Sequence, residues 1–260
     1  MAASAHRSVT GATAVQYPEL REDLAAALRW AARERLHEGV DNHFSVAVPD
    51  ADGTVRGDRF LINPYRMHWS SVKASDIVLC DREGNVLEGE RGVELTAFCI
   101  HSRVHLNQPR AAVVLHTHMP YATALAHLRG GRLAMCGQNA LMFDGRVAYD
   151  DGFNGLALDA DEGDRMAAAL GEADVLFLGG HGVLVTGPDL PRAFTDLYYL
   201  ERAAMFQVLA RSHGGELLQV PDDVRARMRA QIREDLPNVA QGYFGEIKRL
   251  LAAEEPDYRA

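Results

Sequence analysis

Cysteine is scarce in this chain: three residues in 260, at positions 80, 99 and 136, with no C-x-x-C pair. So sparse and wide a spacing excludes a disulfide scaffold and a cysteine-built zinc module, and fits reduced, mostly buried thiols in a cytoplasmic protein. Long apolar runs are missing too. No stretch approaches the roughly 18–20 residues a membrane helix needs, so no membrane partner is expected. Basic blocks are absent, and the net charge is −9. Binding to a phosphate backbone needs clustered cations, so a nucleic-acid partner is excluded. No Gly/Ser/Pro-rich linker, fixed-period repeat or low-complexity segment interrupts the hydrophobic pattern. Residues 1–16 are small and polar with no apolar core of a signal peptide, and read as a disordered tail. Residues 17–260 are expected to form a single domain.

What the chain does have is an ordinary globular composition, 47% hydrophobic and 24% charged, with strands and helices intermixed. A helix is expected from Pro18 to about Leu36, with Pro in its first turn and Gly39 after its last. Phe44, Val46 and Val48 alternate with Ser45 and Ala47 as in a strand. Further strands fall at Phe60–Ile62 and Ile77–Leu79, and Arg82–Asn85 reads as a hairpin turn into Val86-Leu87. A helix follows from Glu94 to about Leu106, then a strand ending in His116, then a short helix opened by Pro120. Short strands are expected at 146–149, 174–178 and 183–185, and helices at 160–170, 191–212, 222–235 and 239–253. Some strands are joined by hairpins too short for parallel crossovers. The fold class is α/β, with a mixed or largely antiparallel sheet covered by helices.

The chemistry concentrates in histidine. His116 and His118 stand at i and i+2 after the apolar run 111–115, so on a strand both imidazoles point one way. His181 lies between two glycines, directly after the apolar run 175–178. Three imidazoles from neighbouring strand ends can form a metal face with open positions. The plain alternative is a strand end with two satisfied imidazoles and an ordinary Gly-His-Gly turn. Neither the H-x-H-x-D-H pattern of metallo-hydrolases nor a helical H-E-x-x-H is present.

Several ordered blocks resemble the class II aldolase/adducin family from about Pro18 to the C-terminus. They include Asn42-His-Phe-Ser45, Phe60-Leu-Ile-Asn-Pro64, Met67-His-Trp69 and Ile100-His-Ser102. Ala74-Ser-Asp-Ile77, Val114-Leu-His-Thr-His-Met-Pro-Tyr-Ala-Thr123, Gln138-Asn-Ala140, Gly145-Arg-Val-Ala-Tyr149, Gly180-His-Gly-Val-Leu-Val185 and Tyr198-Tyr-Leu-Glu-Arg202 complete the set. The resemblance implies a three-layer α/β/α fold with a central, mainly antiparallel sheet. It also implies a homotetramer with active sites near subunit boundaries, acting on a small-molecule substrate. It makes His116, His118 and His181 the ligands of one divalent metal, zinc first, with manganese, iron or cobalt as alternatives.

The departures matter equally. Sugar-phosphate aldolases of this family carry a catalytic Glu four residues before the position of His101, and here that position is Ala97. Tyr65-Arg66 and Leu95-Thr96 stand where such enzymes hold the substrate phosphate. The Ile-Asn-Pro and Ile-His-Ser segments lie closer to the adducin-like branch, whose cytoskeletal heads do not keep the full metal triad.

These features together suggest a metal-dependent carbon–carbon lyase, retro-aldol or decarboxylating, on a non-phosphorylated oxo- or hydroxy-acid, with the metal stabilising an enolate. An iron(II) oxygenase or a non-catalytic adducin-like scaffold are the alternatives. Glu94, one helical turn before Ala97, and Tyr149 are the candidate proton-transfer residues; a helix-start carboxylate and a packing tyrosine are their plainer roles. Asn42, Ser45, Asn63, Arg66 and His101 are expected around the substrate, Arg66 as a carboxylate clamp. Tyr65 and Trp69 either stack on the substrate or pack in the core.

Overall fold

A computed structural model of the chain describes residues 15–260. Of the expected N-terminal tail only Val15 and Gln16 fall within it; the rest lies outside the described residues. Eight strands form one sheet in the order β4-β3-β2-β1-β5-β8-β7-β6. They are β1 (His43–Pro49), β2 (Val55–Ile62), β3 (Val78–Asp81), β4 (Val86–Glu88), β5 (Val113–Thr117), β6 (Val147–Asp150), β7 (Val175–Leu178) and β8 (Gly182–Gly187). All neighbours run antiparallel except β6 and β7.

The helices are α1 (Pro18–Arg33), α2 (Leu95–Asn107), α3 (Pro120–Ala126), α4 (Gln138–Leu141), α5 (Ala160–Leu170), α6 (Leu190–Ser212) and α7 (Asp222–Glu254). They make a three-layer α/β/α fold. On one sheet face Phe44, Leu115 and Val185 pack with Leu24, Leu28, Phe194 and Phe244 of α1, α6 and α7. On the other, Val114, Leu176 and Leu184 pack with Ile100 and Val104 of α2 and Met166 and Leu170 of α5. The central strands are therefore buried on both faces, which is why β5 reads as an unbroken apolar run rather than an alternating one.

Three expectations are corrected. α1 stops at Arg33, not Leu36. Arg35 is left-handed (φ 58°), its N–H donates to Ala32 O and that of Leu36 to Ala31 O, a Schellman closure that seats buried Leu36. The two C-terminal helices are one, α7, running through Pro237. A proline inside a helix costs about 3 kcal/mol, yet Leu236, Ala240, Phe244, Ile247 and Leu251 form a single buried row across it. Packing of that row holds the helix together. The four-residue helix α4 was not expected; it is too short to show a period.

All three cysteines are free, Cys80 and Cys99 buried and Cys136 partly so. No helix among the described residues is long and apolar enough to cross a membrane.

Candidate metal centre

The site lies at one end of the three central strands. His116 is the penultimate residue of β5 and sits opposite His43, the first residue of β1. His118 follows one residue beyond β5, and Pro120 at once turns the chain into α3. Buried Glu201 of α6 fixes that turn by accepting the Tyr121 and Ala122 N–H groups, both at 2.9 Å. His181 occupies the short connection between β7 and β8, with Gly180 left-handed (φ 67°). Gly182 is required there: a Cβ would lie 2.6 Å from Thr117 O and 2.7 Å from His118 Cδ2. Only glycine lets the hairpin tip press against the end of β5.

One ligand nitrogen from each of His116, His118 and His181 lies within 4.8 Å of the others. His116 Nδ1 is 3.0 Å from Val183 O, and His118 Nδ1 is 2.8 Å from Glu38 Oε2. A carbonyl and a carboxylate only accept, so both Nδ1 atoms carry the proton and both Nε2 lone pairs are free. His118 Nε2 is buried with no hydrogen-bond partner. Burial holds His116 well below the ordinary imidazole range and lowers His181 to about 4. Three imidazoles, each offering a ring nitrogen within 4.8 Å of the others, suit a divalent cation. Without one, at least one buried nitrogen goes unsatisfied.

A cavity of about 570 Å³ opens on these rings. Glu94 lines it, with Oε2 3.3 Å from His43 Nε2, off the line of a proper hydrogen bond, and Oε1 accepting from Thr96 Oγ1 at 3.0 Å. The neighbouring His43 keeps Glu94 below its usual carboxylate range, so it is ionised near neutrality. His43 stacks on His116 (5.2 Å between ring centres) and stands edge-on to His101 (5.5 Å).

The other expected site residues are placed differently. Tyr149 is turned away: its hydroxyl accepts the Leu133 N–H at 3.0 Å, its ring stacks on Phe177, and burial raises its pKa, making it a poorer acid. Asn42 accepts the N–H groups of Glu38 (2.7 Å) and His118 (3.2 Å), tying two loops together. Asn63 accepts from Phe44 N–H and donates to Asn42 O, joining β1 to β2. Ser45 and His101 are buried behind His43, where Ser45 Oγ bridges His101 Nδ1 (2.5 Å) and His105 Nε2 (2.7 Å). None of these five lines the cavity. Nor does Arg66, an exposed residue with its guanidinium over Tyr65, although its charge reaches Glu94. Trp69 is fully buried beside Phe44 and is a core residue. Polar side chains with short, positioning-type bonds serve as well to hold a site as to touch a substrate, and sequence alone does not separate the two.

Sequence reasoning missed His43, Glu38 and Glu201. His43 was available inside the Asn42–Ser45 block, and Glu201 inside the Tyr198–Arg202 block. Glu38 is an exposed loop carboxylate with no spacing signal.

The domain described as "Class II Aldolase and Adducin N-terminal domain" matches residues 22–208. The chain belongs to this family. An aldolase II superfamily protein from Pseudomonas syringae superposes with a TM-score of 0.86 at 33% identity, over 96% of this chain and 98% of that one. L-fuculose 1-phosphate aldolase from Glaciozyma antarctica PI12 gives 0.81 at 27% identity, over 98% and 97%. Decarboxylase NovR of Streptomyces niveus is 27% identical over 90% of this chain and 84% of its own length. The class II aldolase superfamily thus includes both aldolases and decarboxylases.

Proposed function

We propose that this chain is a metal-dependent carbon–carbon lyase, retro-aldol or decarboxylating, acting on a non-phosphorylated 2-oxo or 2-hydroxy acid. The observation that carries it is the convergence of His116, His118 and His181, with Nε2 of the first two free by virtue of the bonds at Nδ1. Zinc is the ion such an all-nitrogen set favours. A divalent cation there supplies a Lewis acid for charge developing on a substrate carbonyl oxygen.

The chain's own residues do the rest. Val183 O and Glu38 fix the tautomers of His116 and His118. Glu94, ionised and on the cavity wall, takes the proton that Ala97 cannot; Ala97 packs with Phe60 and Ile62 in the core. Thr96 Oγ1, donating to Glu94 Oε1 at 3.0 Å, orients that carboxylate. A scaffold role is disfavoured because three buried or half-buried imidazoles facing one cavity are costly to keep without a ligand. The working unit is read as one domain over residues 17–260, assembled as a homotetramer in the cytoplasm.

The test is elemental analysis of the purified protein, then an anaerobic screen of 2-oxo and 2-hydroxy acids for carbon dioxide or aldehyde release. A metal-loaded protein that turns over without oxygen supports the reading. Turnover only with oxygen uptake replaces it with an oxygenase, and a metal-free protein removes it.

A further inference from the structure

The wall chemistry of the cavity narrows the substrate. We propose that the acid carries an aromatic substituent, seated against Phe153 and Leu156. This deepens the lyase reading and rests on it.

Charge comes first. Among the described residues, the cavity is lined by no Lys or Arg, while Glu38, Asp41 and Glu94 all face it. A cation on the three imidazoles answers one carboxylate of the substrate. A second anionic group, such as a phosphate, would meet acidic side chains with no lysine or arginine to answer it, only the His43 and His127 imidazoles. The remainder of the substrate is therefore uncharged.

Apolarity comes second. Ile100, Pro120, Phe153, Leu156 and Ala157 make up the apolar part of the wall, beside Thr96, Thr123, His43 and His127. Phe153 and Leu156 are 60% and 74% exposed, large apolar side chains standing open at the mouth of a cavity otherwise rich in ionisable groups. The Phe153 ring packs over Gly180, where a Cβ would come within 3.6 Å of it, and its centre lies 6.5 Å from that of His181. An aromatic face is thus held next to the imidazole cluster, within reach of a group one or two carbons from a bound carboxylate. Ring pairs favour centre separations of about 4.5–7 Å. The cavity volume of about 570 Å³ leaves ample room beyond a three-carbon acid. Thr123 Oγ1, buried on the same wall with no partner, offers a hydrogen bond to the acid's polar end.

The test is calorimetric binding of 3-phenyllactate, lactate and phosphoglycolate to the full-length zinc-loaded protein. The wild type should bind 3-phenyllactate about tenfold tighter than lactate, and phosphoglycolate no tighter than lactate. In the Phe153→Ala, Leu156→Ala double variant the preference should shrink to about twofold, with lactate affinity unchanged. Both side chains are exposed, and zinc-dependent lactate binding by the variant verifies that it is folded. Equal binding of the two hydroxy acids by the wild type, or tightest binding of phosphoglycolate, overturns the proposal while leaving the metal site intact. So does a double variant that changes oligomeric state and keeps the preference, since those side chains would then face another subunit. If neither hydroxy acid binds the zinc-loaded protein, the lyase reading on such acids fails together with this one, while zinc loading itself leaves the metal site standing.

Discussion

Replacing Ser45 by alanine should cost this protein far more than the loss of one hydroxyl suggests. Ser45 is fully buried on β1, facing α2. His105 Nδ1 lies 2.9 Å from Ala111 O, which can only accept, so His105 Nε2 is a bare acceptor. The serine hydroxyl therefore donates to His105 Nε2 and accepts from His101 Nδ1–H. The alanine variant strands two buried ring nitrogens at once. A buried polar atom left without a partner costs about 1–3 kcal/mol. Allowing for some relaxation, the loss should be about 2–4 kcal/mol, against under about 0.5 kcal/mol for an exposed control such as Ser70→Ala. Urea denaturation followed by circular dichroism measures the difference, all proteins being at the same concentration and metal loading. A Ser45→Ala protein within about 0.5 kcal/mol of wild type would refute the bridging hydroxyl and the tautomers deduced from it.

The same cluster sets an acid limit. Burial lowers His105 from 6.5 to about 4, so between those values the unfolded chain takes up a proton that the folded chain refuses. Stability should be full above about pH 6.5 and fall by about 3 kcal/mol on descending to pH 4, His101 adding in the same direction. A urea midpoint that is flat across this window contradicts it. Glu38→Ala frees His118 Nδ1 and should weaken divalent metal binding about 10- to 100-fold, read by chelator competition; unchanged affinity would show that the contact is incidental. Gly182→Ala forces the β7–β8 turn off Thr117 and His118, and should lower both metal content and thermal midpoint, with a stability loss of about 2 kcal/mol or more. A variant that keeps both contradicts the close approach.

Much of the architecture was legible because local signals agree. Val113–Leu115 is an apolar run of strand length, and Pro18 and Pro120 each open a helix. Errors arose where tertiary packing overrides local rules. Pro237 reads as a break, but the buried row around it is continuous. Arg35 takes the left-handed position that sequence logic gives to Gly39. At the site, the three histidines were readable from spacing and glycine flanks, and they do converge. Direction was not readable: Tyr149, Asn42, Ser45, Asn63 and His101 do not line the cavity and each hydrogen-bonds a protein group, while Asn42 Nδ2 and His101 Nε2 are buried with no partner. Which way a side chain points depends on partners far along the chain, such as Leu133 for Tyr149 and His105 for Ser45.

The account rests most directly on metal stoichiometry, measured by mass spectrometry of the purified wild type and of His116→Ala, His118→Ala and His181→Ala proteins. About one divalent ion per chain is expected in the wild type, with near-complete loss in each variant whose circular dichroism stays native. Folded variants retaining the full complement, or a wild type that takes up no divalent ion at any concentration, would contradict it.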